Sequence, residues 1–105
     1  MLPPRNLPLA AAIGSKIVLP GDVEKDEDLD AAFDTLQREW GGLDFLVHAI
    51  AHSDRNELKG RYVDTTRANF LRTMSISAYS FTAVASRAAR LMSTDIGHKG
   101  GAMLT

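Results

Sequence analysis

The sequence predicts an α/β fold, in which short strands of a parallel sheet alternate with amphipathic helices. Three observations carry this. Apolar residues at helical spacing fill two segments, 26–40 and 66–92. Between them lies a nearly uninterrupted apolar run, LDFLVHAI (43–50), and such runs belong to strands buried on both faces, as in parallel sheets. A further apolar stretch, AMLT (102–105), follows the second helix, so strand and helix alternate along the chain.

Each element has its own signal. PLAAAIG reads as the tail of a helix closed by Gly14 at the C′ position. KIVLPGDV (16–23) is a strand signal weakened by Pro20 and Gly21, and a proline is tolerated mainly at a sheet edge or a strand end. In DEDLDAAFDTLQREWGG, the residues Leu29, Phe33, Leu36 and Trp40 fall on one helix face. Asp26 is the candidate N-cap, Glu27 and Asp28 place negative charge in the first turn, and Gly41 and Gly42 end the helix. The strand 43–50 follows, with Asp44 at its entrance. Residues 52–64, HSDRNELKGRYVD, are a polar connection. Thr65 or Thr66 then caps a long helix whose apolar stripe runs Phe70, Met74, Ser77, Phe81, Val84, Ala88 and Leu91, roughly 40 Å of helix. STDIGHKGG breaks it.

Composition narrows the function. At 105 residues the chain is one small domain, and its formal net charge of −1 lacks the clustered basic excess of a nucleic-acid footprint. It contains no apolar run long enough to span a membrane. It has no cysteine, hence neither a disulfide framework nor a thiolate metal site. The N-terminus MLPPRNLPLAAAIG lacks a secretory layout, and together these features predict a cytoplasmic protein. His48, His52 and Asp54 have a spacing that suits metal ligands on a helix, but on a strand and loop it does not converge, so no metal site is expected. Lys59, Arg61 and Arg67 form a small basic patch that reads first as a solvated loop and second as a surface that steers an acidic partner.

The stretch GDVEKDEDLDAAFDTLQREWGGLDFLVHAIAHSDRNELKGRYVDTTRANFLRTMSISAYSFTAVASRAARLM resembles the middle of bacterial enoyl-acyl-carrier-protein reductases, the divergent branch of the short-chain dehydrogenase/reductase family. The resemblance runs from about Leu7 onward. Its most specific parts are LDFLVHAI in place of the NNAG-type strand end of ordinary short-chain reductases, ELKGRYVDT in the loop and ISAYSFT in the long helix. It implies a partial Rossmann-like three-layer sandwich in which this chain supplies strands 3, 4 and 5 of a sheet ordered 3-2-1-4-5-6-7. It also implies NADH as cofactor and an enoyl thioester carried on acyl carrier protein as substrate.

The implied cofactor-binding residues are Asp22 and Val23 at the adenine, His48, Ala49, Ile50 and Ala51 along the ribose and nicotinamide side, and Ile76 closing over the adenine. Without the resemblance, Asp22 reads as a turn residue, and Val23 and Ile76 as core. The resemblance further implies a homo-oligomer through the helix near Thr66–Met92, with Ala78, Ala85 and Ala88 permitting close helix approach.

Two departures temper it. The family usually has glycine and then an aromatic where this chain has Ala51 and His52, and the Ala51 methyl hinders close backbone approach to a ligand. The family's chemistry also needs a glycine-rich phosphate turn and a Tyr-x6-Lys pair. The eight glycines make no such turn, and Tyr62 and Tyr79 have Asn69 and Ser86 seven residues on. Residues 1–105 are therefore expected to form a partial dinucleotide-binding domain, lacking the phosphate-binding turn and the catalytic Tyr/Lys segment. No catalytic residue is assigned, and the isolated chain is expected to be inactive. The alternative is a non-catalytic module that pairs with a full-length reductase through its long helix.

Overall fold

The computed structural model describes residues 6–92 and 99–105. Most of the helix-breaking stretch STDIGHKGG, and the first residues of the N-terminal stretch, lie outside the described residues.

Helix α1 (Asn6–Ala12) ends as its sequence requires. Gly14 adopts φ +80°, Ser15 N–H bonds to Ala10 O at 2.9 Å and Gly14 N–H to Ala11 O at 3.0 Å. These are the two bonds of a Schellman cap, which needs a residue that tolerates a left-handed backbone. Residues 15–22 then run without helix or strand assignment. The strand expected at 16–23 is therefore not formed. A strand exists only through a ladder partner about 4.8 Å away, and among the described residues the sole pairing is between two other segments.

Helix α2 spans Asp26–Glu39, with three acids in its first turn. Asp26 is not its N-cap. Lys25 occupies that position without a side-chain cap bond, and the acidic side chains serve the helix dipole instead. Asp28 takes the backbone N–H of Asp22 at 2.9 Å, tying the entering loop to the first turn. Leu29 is buried, but Trp40, expected on the same face, is 59% exposed.

Strand β1 (Phe45–Val47) pairs in parallel with β2 (Ala102–Leu104), Leu46 opposite Met103. The N–H of His48 extends the ladder to Leu104 O at 2.8 Å. Burial on both faces, expected from the apolar run, is not found. Phe45 is 69% and Val47 56% exposed, while His48, on the other face, is 6% exposed. Strand side chains alternate between faces, and the helices cover only the His48 side.

Two 3-10 turns, Arg55–Glu57 and Tyr62–Asp64, punctuate the connection to the long helix. That helix comprises α3 (Arg67–Met74), a π-turn (Ser75–Tyr79) and α4 (Ser80–Leu91). Thr66 is its N-cap, with Oγ1 accepting from Asn69 N at 3.1 Å. Glu57 accepts both the N–H of Thr66, at 2.7 Å, and its hydroxyl proton, at 2.8 Å, which leaves the hydroxyl lone pairs to the helix.

The expected apolar stripe is correct in α4 and displaced in α3. Ala88 and Leu91 are buried, whereas Phe70 and Met74 are 45% and 47% exposed. A π-turn inserts a residue into the helical repeat, so the face presented inward before it is Asn69 and Thr73. Helix α4 packs on α2, and the contact is latched by Arg87, which donates to Asp30 at 2.8 Å and lies 3.6 Å from Asp26.

Candidate functional site

The carboxyl end of β1 is where the helical layer and the following loop meet. His48, the first residue past the strand, turns its ring into the helix face. Its Nε2 lies 2.6 Å from Ser80 Oγ and its Nδ1 2.8 Å from Thr105 Oγ1. Ser80 is fully buried, and its hydroxyl also donates to Ile76 O at 2.6 Å. The ring packs at 60° to Phe81, centroids 5.4 Å apart, a tilted arrangement favoured by aromatic quadrupoles.

Beyond His48, the chain emerges. Ala49, Ile50 and Ala51 are exposed. The helix then grips the loop through polar side chains. Ser77 Oγ accepts from His52 N at 2.9 Å and donates to His52 O at 3.1 Å. Asn69 Oδ1 accepts from Asp54 N at 2.9 Å, and Asn69 Nδ2 donates to Ser53 Oγ at 3.2 Å. Thr73 Oγ1 donates within the same group, to Ser53 Oγ at 3.3 Å. An open cavity of about 470 Å³ lies alongside, lined by His52, Asp54, Arg55, Glu57, Asn69 and Arg72 among others.

The loop 22–24 is also tied to the long helix. Asp22 Oδ1 accepts from Glu24 N at 2.9 Å, which orients the carboxylate. Arg72 donates to Glu24 at 3.3 Å, which ties the residue after Val23 to the long helix one turn before Ile76. Asp22 is exposed, Val23 half-buried and Ile76 8% exposed. Ile76 and His48 thus offer little side-chain surface to a ligand, while Asp22 and residues 49–51 offer more.

Sequence reasoning missed Asn69, Thr73 and Ser80, and placed Ser77 on the inward stripe without giving it a bond. The first two are polar residues adjacent in sequence to the apolar ones that were assigned inward. The available signal was the cluster of hydroxyls in SISAYS, one of which, Ser77, interrupts an otherwise apolar stripe. Of the basic patch, Arg61 pairs with Asp64 at 3.2 Å in an exposed i,i+3 contact. Among the described residues, no group of three His, Asp or Glu side chains is placed to hold a metal ion.

The sequence profile of the family described as Enoyl-(Acyl carrier protein) reductase matches residues 4–105. The chain belongs to the enoyl-acyl-carrier-protein reductase family. It is 56% identical over 101 residues to enoyl-[acyl-carrier-protein] reductase [NADH] 2 of Rhizobium meliloti, covering 96% of this chain and 36% of that protein. Reductase [NADH] 1 of the same organism is 52% identical over 98 residues, covering 93% and 34%.

Solved structures agree. The Anaplasma phagocytophilum reductase, in complex with NAD, superposes with TM-score 0.88 at 53% identity, over 96% of this chain and 37% of that one. The Aquifex aeolicus reductase superposes with TM-score 0.87 at 33% identity, over 99% and 42%. The fold is therefore part of the Rossmann-type α/β fold of these reductases, with the parallel pair β1 and β2 a small piece of its sheet. The chain spans about a third of the length of the curated reductases it matches.

Proposed function

We propose that this chain is the central part of an NADH-dependent enoyl reductase of fatty acid biosynthesis, acting on enoyl thioesters of acyl carrier protein in the cytoplasm. In this reading, residues 1–105 are a partial dinucleotide-binding domain that supplies one wall of the cofactor cleft. Asp22 and Val23 meet the adenine, Ile76 backs it, and the backbone and apolar surface of His48, Ala49, Ile50 and Ala51 line the ribose and nicotinamide side. The observation that supports the reading is the Arg72–Glu24 contact at 3.3 Å, which ties the loop after Asp22 to the long helix one turn before Ile76, on the same helix whose Ser77 binds the backbone of His52 just past the carboxyl edge of β1. Open α/β sheets bind ligands at that edge, beyond the carboxyl ends of their strands.

The residues fit an adenine nucleotide. Glu24 N–H occupies one oxygen of Asp22, which leaves the other to accept from an exocyclic amino group. NADH, when bound, supplies the hydride. The chain's own part is to orient the dinucleotide and to keep water from its inner face.

The test is an NMR titration of the 105-residue chain with NADH, beside an assay on crotonyl thioester. Perturbations should centre on Asp22, Val23, Ala49–Ala51 and Ile76, and turnover should be absent. Perturbation elsewhere would remove the site assignment, and measurable turnover would remove the claim that the chain is catalytically incomplete.

A second reading has a specific observation behind it. Phe70, Leu71 and Met74 of α3 are exposed, at 45%, 61% and 47%, which suits an oligomer contact or pairing with a full-length reductase along the long helix. Ala78 is exposed and available to such a contact, whereas Ala88 is fully buried in the chain's own core and is not. Sedimentation of the chain alone and mixed with a full-length reductase decides between a monomer, a homo-oligomer and a mixed complex.

A further inference from the structure

We infer that His48 is an internal strut, and that Ser80 and Thr105 are positioning residues that act through it to hold the π-turn carrying Ile76 against the ends of both strands. The functional consequence rests on the cofactor-wall reading above, but the strut itself does not.

The argument begins with proton counting. A serine hydroxyl has one proton. That of Ser80 goes to Ile76 O at 2.6 Å, so the 2.6 Å contact with His48 Nε2 must be donated by the ring. In the neutral imidazole, Nδ1 is then bare and accepts from Thr105 Oγ1 at 2.8 Å. This tautomer is assigned from the bonding pattern. The result is a one-directional chain, Thr105 hydroxyl to His48, His48 to Ser80, Ser80 to Ile76 O. Bonds aligned in this way polarise one another, and in a buried setting each is costly to leave unmade.

The π-turn explains why Ile76 O needs this donor. The N–H of Ser80, which an α-helix would give to Ile76 O, bonds to Ser75 O instead. The hydroxyl of the same residue takes the carbonyl its backbone has left. The imidazole then ties that arrangement to β1 from one nitrogen and to the residue after β2 from the other. A phenyl ring would fill the same space beside Phe81 but could make neither bond.

The experiment is long-range 1H–15N NMR of the imidazole in the 105-residue chain, with Ser80→Ala, Thr105→Val, His48→Gln and His48→Phe alongside. The unmodified chain should hold the Nε2–H tautomer alone. Ser80→Ala should move the Thr105 amide, to which Ser80 makes no bond, and Thr105→Val should move the amides of Ile76 and Ser77. Glutamine, with a donor and an acceptor, should preserve both sets of shifts better than phenylalanine. An Nδ1–H or averaging ring in the unmodified chain, which needs no variant to fold, would overturn the strut, as would a Thr105 signal indifferent to Ser80→Ala.

Titration with ADP-ribose tests the consequence. Ser80→Ala should bind it roughly tenfold more weakly, the equivalent of one hydrogen bond. Equal binding by the two proteins would refute the coupling to Ile76. No binding by the unmodified chain would refute the cofactor-wall reading, while the tautomer would still decide the strut.

Discussion

Ala51 and Gly101 are single residues at which one methyl group decides the outcome, in opposite directions. Ala51 stands exposed past β1, at a position where the resemblance read from sequence implies glycine. If this backbone meets the dinucleotide, Ala51→Gly should tighten NADH binding several-fold by fluorescence or NMR titration, and an unchanged affinity would place the methyl away from the ligand. At Gly101, a Cβ would lie 2.6 Å from Met92 Sδ and 2.9 Å from Asp44 O. The methionine can move but the backbone oxygen cannot, so Gly101→Ala should cost about 1–3 kcal/mol in urea denaturation. The two positions differ in legibility. The departure at Ala51 was visible in the sequence, because it lies in a recognisable motif. The need for Gly101 was not, because its neighbours come from the entrance of β1 and the end of α4.

At the scale of elements, local signals marked helix existence well and helix ends less well. The sequence offered Thr65 or Thr66 as cap of the long helix, and Glu57 decided for Thr66 by binding its N–H and hydroxyl together. Thr66→Ala should therefore cost about 1 kcal/mol and speed hydrogen exchange at the Asn69 amide, with Thr66→Ser largely restoring both. Asp26 was expected as a cap on residue type alone. It lies one position too far inside, because the entering loop is fixed by the bonds of Asp22 and Asp28. The stripe of the long helix was read with a constant period, and the π-turn broke that constancy. Asn69 faces the loop in consequence, and Asn69→Ala should release Asp54 N–H, visible as faster exchange of that amide with little change in global stability.

At the scale of the whole molecule, one sheet face is covered and the other open among the described residues. The radius of gyration is 16.4 Å, against about 13 Å for a compact chain of this size, and the extents are 52 × 31 × 22 Å. Val47→Thr on the open face should change the stability of the 105-residue chain by less than about 0.5 kcal/mol in urea denaturation. A strand buried on both sides would lose considerably more, because a hydroxyl would then be desolvated without a partner. A large loss would mean that a second copy or another layer covers Phe45 and Val47 in solution.

The sequence by itself determined the α/β class, the existence of the two main helices and the family. Those depend on residue type and local spacing, which a chain carries whether or not it is folded. Tertiary structure alone decided that residues 16–23 form no strand, since pairing needs a neighbour in space. It also decided that His48 turns inward to Ser80 and Thr105 rather than outward, because a hydrogen-bond chain across 57 residues of sequence exists only once the strand ends and the π-turn have come together.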